Sequence, residues 1–246
     1  MNYLYPDADD LYYESLPVTL TGKGKNVDFQ ELLMAFQEVA TRHIERLGFG
    51  ESYKARHHFF YVVCRMRAMF YRQIQNGEKL TIVTFPNRIG GLQFYRYAYL
   101  LDAEGKPVVD LSSLWVMIDQ TARKLLPARS FAKDFEEKLP LINTMPSLSE
   151  RLTALDFQGL DMIGKGDYLV SQEDIDSNRH MNNTAYLKMV QSLGLSKPVR
   201  SFDIDFEKES YLGEVIHLSA FENENKKCVI GTKEDGELSF RCQMNY

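Results

Sequence analysis

The sequence predicts an α+β fold built from two similar halves. Two segments, 28–48 and 182–193, place apolar residues at the three- and four-residue spacing of a helix with one buried face. Each follows a strand and precedes four alternating segments, so strand, helix and four strands occur twice, although the residues themselves are not visibly repeated. A helix with one apolar face needs a sheet to cover it, and the simplest arrangement wraps an antiparallel sheet around each helix.

The first half opens with a predicted strand over 12–20, which a Gly- and Lys-rich turn ends. Asp28 is then the predicted N-cap of a helix, with Glu31 as its capping-box partner, and Gly48 ends the helix. His43, near the helix C-terminus, is interpreted as structural rather than catalytic. The predicted buried stripe of this helix consists of Leu33, Phe36, Ala40, Ile44 and Leu47.

Four strands are predicted between residues 57 and 119, where alternation replaces the helical spacing. Cys64, Met66 and Ala68 alternate with Arg65 and Arg67, which indicates one buried and one exposed face. The turn signals that separate the strands fall at 76–77, 90–91 and 102–105.

The segment 134–156 loses this alternation and carries Pro140 and Pro146, so we interpret it as a linker. The predicted domains are residues 1–135 and 156–246, joined by a linker over 136–155. The second half is predicted to contain a strand over 166–171, a polar loop, a helix to about residue 193, and strands near 200–208, 214–222, 226–233 and 237–244.

The composition is typical of a globular protein, with 44% hydrophobic and 26% charged residues in 246. The formal net charge of −5 argues against nucleic-acid and membrane-surface binding, both of which favour excess positive charge. No apolar run approaches the ~20 residues of a membrane span, and residues 1–14 lack the features of a signal peptide. The three cysteines have no metal-like spacing, so we expect buried thiols and a cytoplasmic protein.

The segment 174–186 concentrates acids, amides, a histidine and a tyrosine, which favours a chemical role. Its first part is predicted to be a loop and its second part a helix start, with Asn182 or Asn183 as the cap. If the loop is extended, Asp176, Asn178 and His180 project to one side, because side chains along an extended chain alternate. The alternative is a capped turn whose histidine only satisfies backbone groups.

The helix start also bears on chemistry. Asn183 and Tyr186, three residues apart, are expected to share a helix face below the loop. An imidazole near a helix N-terminus, where backbone N–H groups favour negative charge, suits acyl chemistry through a tetrahedral oxyanion.

The pattern Asp-x-Asn-x-His-x-Asn-Asn-x-x-Tyr over 176–186 resembles the active-site segment of the acyl-acyl carrier protein thioesterases of plants and bacteria. Its His-x-Asn-Asn-x-x-Tyr part is shared more widely among hotdog-fold thioesterases. The resemblance implies a tandem double hotdog, in which an antiparallel sheet wraps each of two long helices. Three other segments resemble parts of the same family: 204–210, a strand carrying a catalytic glutamate; 113–125, a strand of the N-terminal half; and 36–43, the first helix.

This resemblance implies a catalytic network of Asp176, Asn178, His180 and Glu209. We expect His180 and Glu209 to position and deprotonate water and Asn178 to bind the reacting centre. Asp176 either orients its neighbours or attacks the thioester itself to give an anhydride, and the sequence leaves both open. The residues expected to support substrate or oxyanion binding are Asn182, Asn183 and Tyr186, including backbone N–H groups at the helix start.

Two residues near the predicted acid have alternatives. Ser210 stands where plant members usually carry a cysteine, so a thiol mechanism at this site is excluded and a serine nucleophile needs a nearby base. Glu209, in a run with Asp205 and Glu207, has the alternative of a solvated acid on a strand.

The first half has no equivalent of His180, so it is expected to hold the acyl chain and shape the partner surface. Acyl carrier proteins are acidic, and an acid-free basic stretch is the candidate docking surface, with a solvated loop as the alternative. This stretch contains Arg123, Lys124, Arg129 and Lys133.

The predicted function is hydrolysis of fatty acyl-acyl carrier protein, which terminates fatty-acid synthesis. The alternatives are an acyl-coenzyme A thioesterase and a non-catalytic acyl-binding hotdog protein, while a hotdog dehydratase would need a different placement of histidine and acid. No phosphate loop is present and His57 and His58 are adjacent, so no cofactor or metal is expected. Two fused hotdogs satisfy internally the interface that single ones find by dimerising, which permits a monomer or a homodimer.

Overall fold

One antiparallel sheet runs through both halves of the chain. The computed structural model describes residues 13–131, 133–134, 157–176 and 178–246. The sheet has 11 strands in the order β1-β5-β6-β7-β4-β10-β13-β12-β11-β9, with β8 beside β7, and β2 and β3 form a separate hairpin. The strands are β1 Glu14–Leu20, β2 Gly22–Lys23, β3 Asn26–Val27, β4 Phe59–Phe70, β5 Glu78–Gly90, β6 Gln93–Leu101, β7 Pro107–Asp119, β8 Leu125–Leu126, β9 Asp161–Leu169, β10 Ser201–Phe206, β11 Val215–Glu222, β12 Lys226–Thr232 and β13 Leu238–Asn245.

The two halves meet where β4 pairs with β10. Arg65 lies opposite Asp205 in the register, and the Nε of this arginine is 2.7 Å from Oδ1 of the aspartate. Separate sheets would leave the N–H and C=O groups of two long edge strands unpaired, and this pairing satisfies them. The α+β prediction is confirmed, with one correction: a single continuous sheet covers both helices. The predicted domain boundaries stay a prediction, since the linker 136–155 lies outside the described residues.

Within the described residues, the α-helices with defined bounds are α1 Phe29–Arg46, α2 Glu51–His57 and α3 Asn183–Ser192, of which the sequence did not predict α2. The helix α1 begins as predicted, because the Asp28 carboxylate accepts the N–H groups of Gln30 and Glu31. The predicted capping box is wrong. The Glu31 carboxylate accepts the Thr21 N–H at 2.8 Å, and the Asp28 N–H donates to the Thr21 carbonyl.

The buried face of α1 packs against α3, so the two halves share one core. Gln191 near the end of α3 joins this contact to the start of α1. Its Nε2 donates to the Val27 carbonyl at 2.9 Å, and its Oε1 accepts the Phe29 N–H at 3.0 Å. These bonds fix the position of α3 along the axis of α1, and so they position the loop that precedes α3.

Asp174 holds the beginning of that loop in place through hydrogen bonds. Its buried carboxylate accepts the N–H and hydroxyl of Ser171 and the hydroxyl of Tyr168, and its carbonyl accepts the Asn182 N–H at 2.7 Å. Burial by itself raises the pKa of the Asp174 carboxyl, but these hydrogen bonds and the nearby Lys188 bring the pKa below its ordinary value. The Asp174 carboxylate therefore holds its own segment in place, and the Asp174 carbonyl joins that segment to the start of α3.

We expect Asp174→Asn to lower the free energy of unfolding by about 2 kcal/mol at pH 7, because an amide accepts these hydrogen bonds more weakly than a carboxylate. A carboxyl whose pKa is lowered by folding contributes stability above its unfolded pKa of ~3.9 and loses it as the pH falls through the folded value. The difference between wild type and variant should therefore shrink at pH 3 in urea unfolding. The matched control is Glu173→Gln, whose side chain is 73% exposed. An equal loss in the control would contradict this role of Asp174.

Candidate active site

The loop before α3 is a closed turn. The Asp176 Oδ1 accepts the N–H of Asn178 at 2.8 Å and that of His180 at 3.3 Å, and the Asp176 N–H donates to the His180 carbonyl. Arg179 has φ 66°, in the left-handed region, as the tight turn requires. The expected extended loop is wrong, because an aspartate side chain satisfies the backbone two residues on and folds the chain back. The turn brings Asp176 and Asn178 side by side, with Asn178 Nδ2 3.4 Å from Asp176 Oδ2.

His180 leaves this turn beside Glu209, and its Nδ1 is 3.4 Å from Oε1 of the glutamate. Glu209 lies in the loop after β10, so its placement on a strand is wrong. The strand ends because the N–H groups of both Glu207 and Lys208 donate to the one carbonyl of Ser239, which breaks the ladder. The side chains of His180 and Glu209 are 18% and 30% exposed, so a substrate can reach both.

Three residues that the sequence analysis did not assign to catalysis surround this pair. The Tyr211 hydroxyl donates to Glu209 Oε2 at 2.9 Å, and burial together with this bond raises the pKa of the tyrosine. The Arg123 guanidinium donates to the same oxygen and lies over the ring of Phe60, 5.0 Å from its centroid. The His180 ring meets Tyr211 edge-on at 5.2 Å. Arg123 and Tyr211 therefore both hold Oε2 of Glu209, while Oε1 is the oxygen next to His180.

The start of α3 has two roles. Asn182 is the N-cap, since its Oδ1 accepts the Thr184 N–H at 2.9 Å, and it also accepts from Gln37 Nε2 at 3.2 Å. The Ala185 N–H donates to the Asn182 carbonyl. The first helical residue, Asn183, lines a cavity. Because the N–H groups of the next two residues are already used, that of Asn183 is the candidate oxyanion donor at this end.

Tyr186 and Ser210 lie behind the site. Both are buried, and the Tyr186 ring packs edge-on against Phe206 and Phe240. The Ser210 hydroxyl is 3.0 Å from that of Ser239, and Tyr186 hydrogen-bonds to both serines. These hydroxyl groups form a buried cluster, and the structure places neither Tyr186 nor Ser210 on the wall of the cavity that Asn183 lines.

This cavity, of about 380 Å³, lies between α1, the strands β4 to β7 and the loop before α3. Asp176, Asn178, Asn182 and Asn183 line it on the side of the loop. The wall on the side of the first half is largely aromatic. It includes Phe60, Tyr61, Phe94, Tyr95 and Trp115.

One cation interrupts the aromatic wall. Arg96 lines the cavity although it is almost fully buried, and its Nη1 contacts Nδ1 of His43 at 3.1 Å and Oγ1 of Thr84 at 3.3 Å. Burial lowers the pKa of this guanidinium to about 10, so it stays charged at neutral pH. The prediction that His43 is structural fits this contact, since the imidazole helps to position the arginine.

All four predicted docking residues, Arg123, Lys124, Arg129 and Lys133, are exposed, and Arg123 also pairs with Glu209 as described above. The three cysteines all lie in the described part of the chain and are not joined by disulfide bonds. Within the described ranges, no helix combines the length and apolar character that a membrane crossing needs.

Two family models match the sequence. The acyl-ACP thioesterase N-terminal domain matches residues 13–135, and the C-terminal domain of the same family matches residues 164–242. Among curated proteins, a chloroplastic acyl-acyl carrier protein hydrolase of Cuphea viscosissima is 28% identical over 180 residues, which are 68% of this chain and 42% of that protein. The oleoyl-acyl carrier protein thioesterase 2 of Arabidopsis thaliana is 23% identical over 215 residues, 79% of this chain and 58% of that protein. The matches to these relatives thus span about half of their length.

Solved structures show the same fold. An acyl-ACP thioesterase from Bacteroides thetaiotaomicron superposes with a TM-score of 0.78 at 20% identity, over 95% of this chain and 97% of the other. The 12:0-ACP thioesterase from Umbellularia californica gives a TM-score of 0.80 at 17% identity, over 96% of each chain. The predicted tandem hotdog fold is confirmed. Because the two domain models together span most of the sequence, the chain belongs to the acyl-ACP thioesterase family.

Proposed function

We propose that this protein hydrolyses the thioester of fatty acyl-acyl carrier protein to a free fatty acid and the carrier, and so terminates fatty-acid synthesis. The observation that carries the proposal is the pairing of His180 with Glu209 beside the Asp176–Asn178 turn, next to a largely aromatic cavity. A general base, an amide and an apolar space are the parts that hydrolysis of an acyl thioester requires. Membership of the family supports the choice of reaction.

In the proposed mechanism Glu209 and His180 position a water molecule and take its proton. The water oxygen bonds to the thioester carbon, and the carbonyl oxygen becomes an oxyanion near the Asn183 N–H. Collapse of this intermediate breaks the carbon–sulfur bond, and the thiolate takes the proton back from the base. Asn178 hydrogen-bonds to the reacting centre. The acyl chain occupies the cavity of the first half.

Asp176 has two possible roles, as an orienting group or as a nucleophile. Its Oδ1 already accepts two backbone N–H groups of the turn, which supports the orienting role. A carboxylate that holds the turn together fixes Asn178 and His180 relative to each other. The nucleophilic role requires the same carboxylate to leave these bonds as the anhydride forms.

An acyl-coenzyme A thioesterase and a non-catalytic acyl-binding protein are the alternatives for function. We propose an acidic acyl carrier protein as partner because the exposed Lys124, Arg129 and Lys133 offer it a basic surface close to Arg123. A cytoplasmic monomer or homodimer stays a prediction from the sequence.

We expect His180→Ala to lower kcat/KM on acyl-acyl carrier protein by ~10²-fold or more, because the general base is removed. The assay uses matched acyl chains on acyl carrier protein and on coenzyme A. The control is His217→Ala, since His217 also contacts an acid, Asp167 at 2.7 Å, but lies on β11 at the surface. Faster turnover of the coenzyme A series would favour the first alternative, and binding without turnover on either carrier would favour the second.

Asp176→Asn separates the two roles of Asp176. An asparagine keeps an oxygen that accepts the N–H groups of Asn178 and His180, so an orienting residue should retain activity within ~10-fold of wild type. A nucleophile should lose ~10³-fold or more, because an amide cannot form the anhydride. Single-turnover hydrolysis with ¹⁸O water gives a second readout. Label in the Asp176 carboxylate after one turnover would exclude the orienting role alone.

The docking proposal predicts that reversing two charges, Lys124→Glu and Arg129→Glu, raises KM for acyl-acyl carrier protein by ~10-fold, because the acidic carrier is then repelled. Hydrolysis of a small soluble thioester should be unchanged, since both side chains are exposed and make no contact with the His180–Glu209 pair among the described residues. The control reverses Lys226 and Lys165 on the other half of the sheet. Equal losses on carrier-bound and soluble substrates would contradict docking at this surface.

A further inference from the structure

We propose that Arg96 forms a polar subsite within the acyl cavity, which favours acyl chains that carry an oxygen atom toward their far end. The inference rests on the proposed function, because it assumes that the acyl chain enters this cavity. The ligand class is a medium-length acyl chain with a hydroxyl, ketone or carboxylate group remote from the thioester.

The first observation is a buried guanidinium that forms no ion pair with any described acid. Arg96 is almost fully buried, its Nη1 contacts the neutral Thr84 hydroxyl and the His43 ring, and Tyr61 lies close enough to interact with its charge. The Thr84 hydroxyl donates to the Tyr97 carbonyl at 2.7 Å, so it accepts from Arg96. Burying a guanidinium without an anion or a full set of acceptors is costly, so such groups usually have a partner.

The second observation is that part of the guanidinium is free to bind a ligand. Both contacts use Nη1, and within the described residues Nε and Nη2 have no hydrogen-bond partner. Arg96 lines the cavity. Neither Nε nor Nη2 is among the described side-chain atoms that are buried from solvent without a hydrogen-bond partner, so these two unpaired atoms are accessible to solvent. Donors of a guanidinium that point into a cavity are arranged to bind an oxygen acceptor.

Of the described acids that line the cavity, none forms an ion pair with Arg96. Glu45, Glu51 and Lys54 line the cavity beyond Arg96, near the C-terminal end of α1. The Glu45 carboxylate accepts the Glu51 N–H at 2.7 Å, and Lys54 pairs with the Glu51 carboxylate. On the side of the loop, Asp176 accepts hydrogen bonds within its own turn. Among the described residues, none of these groups pairs with Arg96, so an oxygen atom of a bound acyl chain can replace water as its acceptor.

The rise of α1 gives the distance along the cavity from its catalytic end to the Arg96 subsite. Gln37 marks the catalytic end, since it contacts Asn182, and His43 marks the level of Arg96. From residue 37 to residue 43 a helix rises by roughly 9 Å, at ~1.5 Å per residue. An extended alkyl chain advances roughly 1.3 Å per carbon, given carbon–carbon bonds of ~1.5 Å, so roughly seven carbons cover this distance. A methyl group at this depth displaces water from a charged group, whereas an oxygen replaces that water.

The test compares two non-hydrolysable pantetheine thioethers, S-octyl and S-(8-hydroxyoctyl), by calorimetry on the full chain. We expect wild type to bind the hydroxyl ligand roughly 10-fold more tightly, as for a hydrogen bond to a charged group. Arg96→Met should abolish the preference, and Arg96→Lys should retain part of it, because lysine keeps the charge but not the fork. The control is Arg42→Met, an exposed arginine of α1 that pairs with Glu38 outside this cavity.

Equal affinity of wild type for the two ligands overturns the subsite whether or not the Arg96 variants fold. A preference that survives in Arg96→Met also overturns it, as does failure of wild type to bind either ligand. Hydrolysis of butyryl-acyl carrier protein tests the proposed function separately, because this chain is too short to reach Arg96. Turnover of butyryl substrate with no discrimination in binding would exclude the subsite alone, while discrimination without turnover would exclude the proposed hydrolase and leave the subsite.

Discussion

The pairing of β4 with β10 is the constraint on which the site depends. The first half supplies the cavity wall, Arg123 and Phe60, and the second half supplies the loop before α3 and Glu209. Neither half contains a complete site, so the two must be joined at a fixed register. Slippage by one residue along an antiparallel pair turns every side chain to the opposite face. It would send Asp205 away from Arg65 and move the loop that carries Glu209.

The ion pairs of this junction therefore matter more for register than for stability. The Arg65–Asp205 pair is buried, and a buried ion pair recovers little more than the cost of desolvating its charges. In any other register the pair is lost and two unpaired charges are buried. The free-energy cost of those charges is far greater than the net stabilisation that the pair provides. Arg67 and Asp203 form a similar pair two residues further along the strands, with 3.8 Å between Nε of the arginine and Oδ1 of the aspartate. Specification of the register by charge explains why polar residues occupy a join between two apolar halves.

The sequence predicted what local rules control and missed what folding brings together. Periodicity and capping chemistry gave α1, α3 and the paired strands, because these depend on neighbours in the chain. The turn at Asp176 was also within reach of local rules, since an aspartate that binds the N–H two residues on predicts it. The contact of Arg123 with Glu209 joins residues 86 apart, and no spacing in the sequence indicates it. In the sequence, the position of Arg96 fits that of an exposed strand residue, and only the three-dimensional structure shows that it lines a cavity.

A buried guanidinium in a cavity is an expensive arrangement for a fold to keep. An apolar residue of similar length at position 96 would continue the aromatic wall formed by Tyr95 and Phe94 and remove the desolvation cost. The fold instead places the His43 ring and the Thr84 hydroxyl against Nη1 of Arg96, and these contacts orient the guanidinium without supplying a negative charge. Groups that orient a charge without cancelling it leave its field available to a ligand. Local violations of the rules of stable packing are expected where function requires them, and this one lies on the wall of the cavity that the loop before α3 also lines.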